Sequence, residues 1–188
     1  MRPMSPRHWL PSNTRLPQTV AIIGAGPLGR SLALRAARAG YTVFLEDVMP
    51  SNLHHAQEYI RQELGPAALP SVVFVSTVED AVRAADLVID CVPDELESKL
   101  EILWLLDRMA PPHAVFATPT TTQSIADLAA CTYRADKCVA IAAEPAAMAR
   151  SENGAIRLRA TAATAPETIV LVEGFWRALG REPVFEIG

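Results

Sequence analysis

Aromatic side chains make up only 6% of this 188-residue chain, and charged ones only 20%. With aromatics scarce and Ala, Val and Leu abundant, the balance is that of a parallel sheet covered by helices. An excess of positive charge is lacking too: 17 Lys and Arg stand against 21 Asp and Glu, a net charge of −4. That removes the basic footprint needed to hold a nucleic acid or an anionic membrane surface. No apolar run approaches the ~20 residues that span a bilayer. Cysteine is limited to Cys91, Cys131 and Cys138, an odd set with no CxxC spacing. This argues against a disulfide scaffold or a zinc site and for a reducing, cytoplasmic compartment. The first 17 residues lack the roughly 7–15-residue apolar segment of a secretory signal.

What is present builds one ordinary domain. Half of the chain is hydrophobic, enough for a packed core. Residues 1–17, with Pro3, Pro6, Pro11 and Pro17 among Arg2, Arg7 and Arg15, read as an extended or disordered leader before a domain over 18–188. Short apolar runs then alternate with helical patterns. Strands are expected over 19–23, 42–46, 72–75, 86–92, 114–117 and 137–142, with strand-like runs at 155–161 and 183–187. Helices are expected over 28–39, from an N-cap at Ser51 through Leu64, over 78–84, 94–109, 124–130 and 166–179. Gly40, Gly65-Pro66, Pro111-Pro112 and Gly180 end four of them. The alternation predicts right-handed crossovers and a Rossmann-type, doubly wound α/β sheet, mostly parallel, with helices on both faces. The last two strand-like segments extend one edge in mixed sense.

One stretch carries chemistry. Gly24-x-Gly26-x-x-Gly29 follows the first strand and opens the first helix, and Asp47 lies 18 residues beyond Gly29 at the end of the second strand. In this motif the first glycine makes a tight turn, the second lets backbone approach a pyrophosphate, and the third lets helix and strand pack closely. The helix N-terminus offers unpaired N–H groups and partial positive charge to phosphates. An acid at Asp47 suits the adenine-ribose hydroxyls and repels a 2′-phosphate, so NAD is expected over NADP. Glu46 is expected on the opposite face, by strand alternation.

Gly24-Ala25-Gly26-Pro27-Leu28-Gly29, Ala36 to Tyr41, Asp47, Val78 to Val82, Ala85 to Asp90, Val92-Pro93-Asp94, Ala110 to Ala114 and Leu179-Gly180 together resemble the NAD-binding domain of 3-hydroxyacyl-CoA dehydrogenases. The likeness runs over about residues 19 to 187. It implies cofactor contacts at Gly24, Gly26, Pro27, Leu28, Gly29, Asp47, Val92, Asp94 and Lys99. On the residues alone, Asp94 also suits a helix N-cap and Lys99 a solvated helix face. The family's loop after the fifth strand, roughly Ser-Asn-Thr-Ser-Ser, is Thr118-Pro119-Thr120-Thr121-Thr122 here. Thr121 stands where the family's serine holds the substrate hydroxyl, so it is the candidate catalytic residue and also borders the cofactor.

The departures from the family are as informative. Where the family has its catalytic histidine, 21 residues after the loop serine, this chain has Ala142. The family's asparagine falls at Pro145, and the glutamate that orients the histidine falls near Gly154 or Arg157. His8, His54, His55 and His113 all sit in unsuitable stretches, and no metal ligands are grouped. The family's helical C-terminal domain would begin where Gly188 ends this sequence. Three readings follow. The chain is an NAD(H)-binding or regulatory module; or an active oxidoreductase on an acyl-CoA or small hydroxy substrate, using Thr121 and a base from a partner subunit or Glu144; or a structural partner with an empty site. Trp104, Phe175 and Trp176 are core residues or part of a homodimer or partner-subunit surface. Cys91 is read as a small buried residue at the end of the fourth strand.

Overall fold

The apolar runs and the helical patterns between them sort into two layers of helix on one sheet. The structure, a computed structural model, describes residues 17–65, 71–150 and 153–188. Its elements are β1 (Thr19–Ile23), α1 (Pro27–Arg38), β2 (Thr42–Glu46), α2 (Pro50–Leu64), β3 (Val72–Val75), α3 (Val78–Val82), β4 (Leu87–Asp90), α4 (Leu96–Met109), β5 (Val115–Pro119), α5 (Ile125–Ala130), β6 (Cys138–Ile141), α6 (Pro145–Arg150), β7 (Gly154–Ala160), α7 (Pro166–Ala178) and β8 (Arg181–Ile187). Apart from Pro17, which is buried, the expected leader and His8 lie outside the described residues, as does the Pro66 stop signal.

The sheet order is β3-β2-β1-β4-β5-β6-β7-β8. Strands β1 to β6 are parallel. β7 turns back antiparallel to β6, and β8 runs parallel to β7, the mixed edge expected. Strand alternation divides the core. Val20 and Ile22 of β1 join Leu32, Leu45, Phe175 and Trp176 on one face. Ala21 and Ile23 join Val88, Leu103, Leu106 and Phe116 on the other. Phe175 and Trp176 are therefore core, meeting edge to face at 5.3 Å between ring centres. No helix among the described residues is long and apolar enough to cross a membrane.

Several boundaries move for identifiable reasons. α2 starts at Pro50, with Met49 rather than Ser51 as N-cap, because a proline at the first helical position needs no N–H partner. α3 is capped by Thr77, whose hydroxyl accepts the Asp80 N–H at 3.2 Å. Asp86 lies outside β4: its carboxylate takes the N–H groups of Gln18 at 2.8 Å and Thr19 at 3.1 Å. α4 begins at Leu96 with Glu95 as N-cap, so Asp94 is not the cap. α6 was not expected; it is six residues long and packs on α1, where the Arg35 guanidinium donates to the Met148 carbonyl at 3.1 Å and the Ser31 hydroxyl to that of Ala149 at 3.0 Å. β8 starts at Arg181, two residues before Pro183.

Candidate functional site

Strand order reverses between β1, which pairs with β2 on one side and with β4 on the other. Connections leave that point in opposite directions, and a crevice opens beyond the carboxyl ends of the strands. A groove of about 510 Å³ lies there, lined by Gly24, Gly26, Glu46, Asp47, Cys91 and Val92 among others. Gly24 has φ +100°, and its N–H donates to the Glu46 carbonyl at 2.8 Å. A Cβ on Gly29 would lie 1.7 Å from the Gly24 carbonyl oxygen, so only glycine lets α1 close on the loop. A Cβ on Gly26 would meet nothing within 4 Å. The protein itself leaves that position clear, and its lack of a side chain is clearance above the loop. Gly26 is the N-cap of α1 without a side-chain cap, and no acid occupies the first turn. The N–H groups of the first turn therefore have no side-chain cap and are open to a ligand in the groove. The Leu28 side chain is core, so only its backbone is available to a ligand, whereas Pro27 is exposed. The donors and the clearance fit a bound pyrophosphate.

Asp47 ends the loop's opposite wall. Its Oδ2 accepts the Ala25 N–H at 2.9 Å and the Asn52 side-chain amide at 3.1 Å, while Oδ1 accepts the Met49 N–H at 2.8 Å. One carboxylate thus ties the glycine loop to the start of α2 and stays on the groove wall with lone pairs for hydroxyl donors. Asn52 escaped the sequence reading, although its place in the first turn of α2, five residues beyond Asp47, was a usable signal. Alternation was expected to carry Glu46 away from this surface. The groove wraps the end of the sheet, so Glu46 lines it together with Asp47. Burial first, and the neighbouring Asp47 charge second, push the Glu46 carboxyl up to about 7.

A second polar cluster occupies the end of β5. Asp94 accepts the Thr120 hydroxyl at 2.5 Å and the Thr121 N–H at 2.9 Å. Partial burial works to raise this carboxyl, but those hydrogen bonds hold it below the usual carboxylate range. The Thr121 hydroxyl donates to Glu144 at 3.2 Å. Asp94, Thr121 and Glu144 are therefore one assembly at the carboxyl end of the sheet, fastened by buried Thr120 and by the Arg159 guanidinium on the Thr120 carbonyl at 2.8 Å. Ala142 enters only through backbone, its N–H donating to the Arg157 carbonyl at 2.9 Å.

Lys99 is neither on a solvated face nor on the groove wall. It is fully buried, and its ammonium meets the Asp90 carboxylate at 2.5 Å, both side chains being at most 1% exposed. Burial pushes Asp90 up while Lys99 pulls it down. Cys91 follows β4, half-buried at the groove; burial, with the Asp90 charge, raises its thiol far above the ordinary range, so it stays protonated. His113 sits by Asp86 at 3.3 Å and His54 by Glu58 at 3.4 Å, neither near Thr121 in the described contacts. Among the described residues no three His, Cys, Asp or Glu side chains are grouped to hold a metal ion.

The comparisons agree with this geometry. Residues 19–186 match the family model for the 3-hydroxyacyl-CoA dehydrogenase NAD binding domain. A probable 3-hydroxybutyryl-CoA dehydrogenase of Bacillus subtilis is 29% identical over 64% of this chain and 46% of its own length. The mitochondrial hydroxyacyl-coenzyme A dehydrogenase of Sus scrofa is 26% identical over 88% of this chain and 57% of its own. Among solved structures, a 3-hydroxyacyl-CoA dehydrogenase of Archaeoglobus fulgidus superposes with a TM-score of 0.77 at 28% identity, covering 91% of this chain and 57% of that one. The chain spans about half the length of these curated relatives. Glycine loop, the acid that follows β2 and matched family converge: the chain belongs to the 3-hydroxyacyl-CoA dehydrogenase family and corresponds to its NAD-binding domain.

Proposed function

We propose that this chain works as an NAD(H)-binding module, with the pyrophosphate on the α1 N-terminus, the adenine ribose on Asp47 and the nicotinamide end toward Asp94 and Thr121. The observation that carries the reading is the clear space over Gly26 beside an uncapped helix end. Bound NAD supplies a hydride acceptor or donor; the chain's own residues bind and orient it. The reading includes no dehydrogenation by this chain alone. Ala142 stands where the resemblance implies a base, and general acid–base catalysis contributes about 10²–10⁴-fold in rate. The test follows NADH fluorescence as protein is titrated in, then adds acetoacetyl-CoA. A rise that persists supports the module; a rise followed by protein-dependent decay refutes it.

The Thr121–Glu144 contact favours a second reading. In it Thr121 holds the hydroxyl of an acyl-CoA or small hydroxy substrate and Glu144 accepts its proton. Turnover that survives both Thr121→Ala and Glu144→Gln excludes it. For a partner, the exposed Leu96, Trp104 and Tyr133 form the surface that supports a homodimer or partner subunit. A strictly monomeric mass by light scattering across a concentration range overturns that.

A further inference from the structure

The groove holds a buried acid that the dinucleotide reading leaves unused. Glu46 is 3% exposed, and its Oε1 has no hydrogen-bond partner among the described residues. Around it the groove is apolar: Val78 from α3, Val92 after β4, Ile102 and Leu105 from α4. These residues give the groove an apolar wall on which a nucleobase can rest. The titratable groups that share it are Asp47 after β2, Cys91 after β4 and Glu101 on α4, and no Lys, Arg or His joins them in the lining. Lys99, the buried cation of α4, is bound to Asp90. Nothing on these elements pairs with a carboxylate at Glu46, so a bound ring meets it most favourably as a neutral acid.

We propose that Glu46 reads the nucleobase of the bound dinucleotide: as a neutral carboxylic acid it donates its O–H to N7 of adenine and accepts from the adjacent exocyclic amino group. The inference rests on the NAD(H) reading above and specifies the base end of that site. A neutral carboxyl carries one donor and one acceptor side by side. Adenine presents the complement, a ring-nitrogen acceptor next to an amino donor. Hypoxanthine keeps the N7 acceptor but replaces the amino group with a carbonyl oxygen, so on that edge the Glu46 carbonyl would face a second acceptor. Ionisation of Glu46 removes the donor and sets a charge against a ring lone pair. Binding therefore takes up a proton once the pH exceeds the acid's own value. With the carboxyl pushed up to about 7 by burial and by Asp47, that falls within an accessible range.

The test uses the whole chain, titrating NADH and its hypoxanthine analogue at pH 6 and pH 8.5 by fluorescence. One obligatory proton on a group titrating near 7 predicts that the NADH Kd rises by up to about thirtyfold between the two pH values. The analogue is expected to bind about tenfold or more weakly than NADH at pH 6, the cost of one mispaired buried group. Glu46→Gln keeps a donor and an acceptor without titrating, so it keeps the preference for adenine and loses the pH dependence. Glu46→Leu loses both. Loss of pH dependence in Glu46→Gln also separates Glu46 from His54 and His55, which remain in that variant. NADH binding that is indifferent to pH and to the base overturns the role of Glu46 while leaving the dinucleotide site standing. No binding of either nucleotide at millimolar concentration overturns the dinucleotide site and this proposal with it.

Discussion

Replacing Lys99 with methionine separates a cofactor contact from a structural one. The family resemblance assigns Lys99 to the cofactor, whereas the structure closes it inside α4 against Asp90, with neither side chain more than 1% exposed. Lys99→Met preserves length and apolar bulk and leaves Asp90 as a buried carboxylate with its ion partner gone. Removing one member of such a pair costs about 3–5 kcal/mol, because the remaining charge keeps its desolvation penalty. Against a total of about 5–15 kcal/mol for an ordinary domain, that is a large fraction. At a urea slope of about 2 kcal/mol per M the midpoint falls by about 2 M. The deficit carries a pH signature. Without Lys99 the folded-state value of Asp90 rises further above its unfolded one, so stability is retained at low pH and lost as pH rises. The double variant Asp90→Asn/Lys99→Met regains most of the loss, since it leaves no buried charge. Urea unfolding followed by tryptophan fluorescence reads the wild type and both variants, with Trp176 fully buried as the reporter. A midpoint for Lys99→Met equal to wild type, with NADH affinity falling instead, refutes the structural assignment and returns Lys99 to the cofactor.

Glu46 gives a stability prediction independent of any ligand. Its folded value, about 7 against 4.5, is raised, so stability is full below about 4.5 and is lost as pH rises through 7. At face value this is about 3 kcal/mol, and about half of that for a carboxyl that lines an open groove. Melting temperatures of Glu46→Gln should match wild type at pH 4.5 and exceed it at pH 8; equal melting at both refutes the shift. Two glycines of the motif should part company. Gly29→Ala drives a methyl into the Gly24 carbonyl and should destabilise the apoprotein by about 1–3 kcal/mol despite the better helix propensity of alanine. Gly26→Ala meets nothing, so it should leave apo stability unchanged and weaken NADH binding. Wild-type affinity in Gly26→Ala contradicts the clearance argument.

The frame of this domain was legible because its signals are local. Four-to-five-residue apolar runs between helical patterns, with Gly40 and Gly180 at helix ends and both at positive φ, fix strand and helix without tertiary information. The mixed edge was legible from one helix joining two strand-like runs. α6 was missed because six residues carry little periodicity, and its anchors are contacts from Ser31 and Arg35, more than a hundred positions earlier. Within the site, the glycine spacing and Asp47 were readable as a pattern. Lys99 was not, since burial depends on which way α4 is rolled onto the sheet, and the Asp90 that receives it is nine residues away. Glu46 was misjudged because strict alternation describes a strand's middle, whereas the groove wraps its end. The link from Thr121 to Glu144 joins the segments that follow β5 and β6, 23 residues apart, and only the pairing of those two strands brings them together.

β8 offers a last consequence, for self-association. Among the described residues it pairs with β7 alone, so one side of its backbone is an open edge. Exposed Val184 and Ile187 would favour a strand adding there. Pro183 withholds one N–H from any such ladder, and Glu182 and Glu186 set like charges opposite each other when two copies approach. The same residues that let this edge close the sheet also guard it against extending into an aggregate.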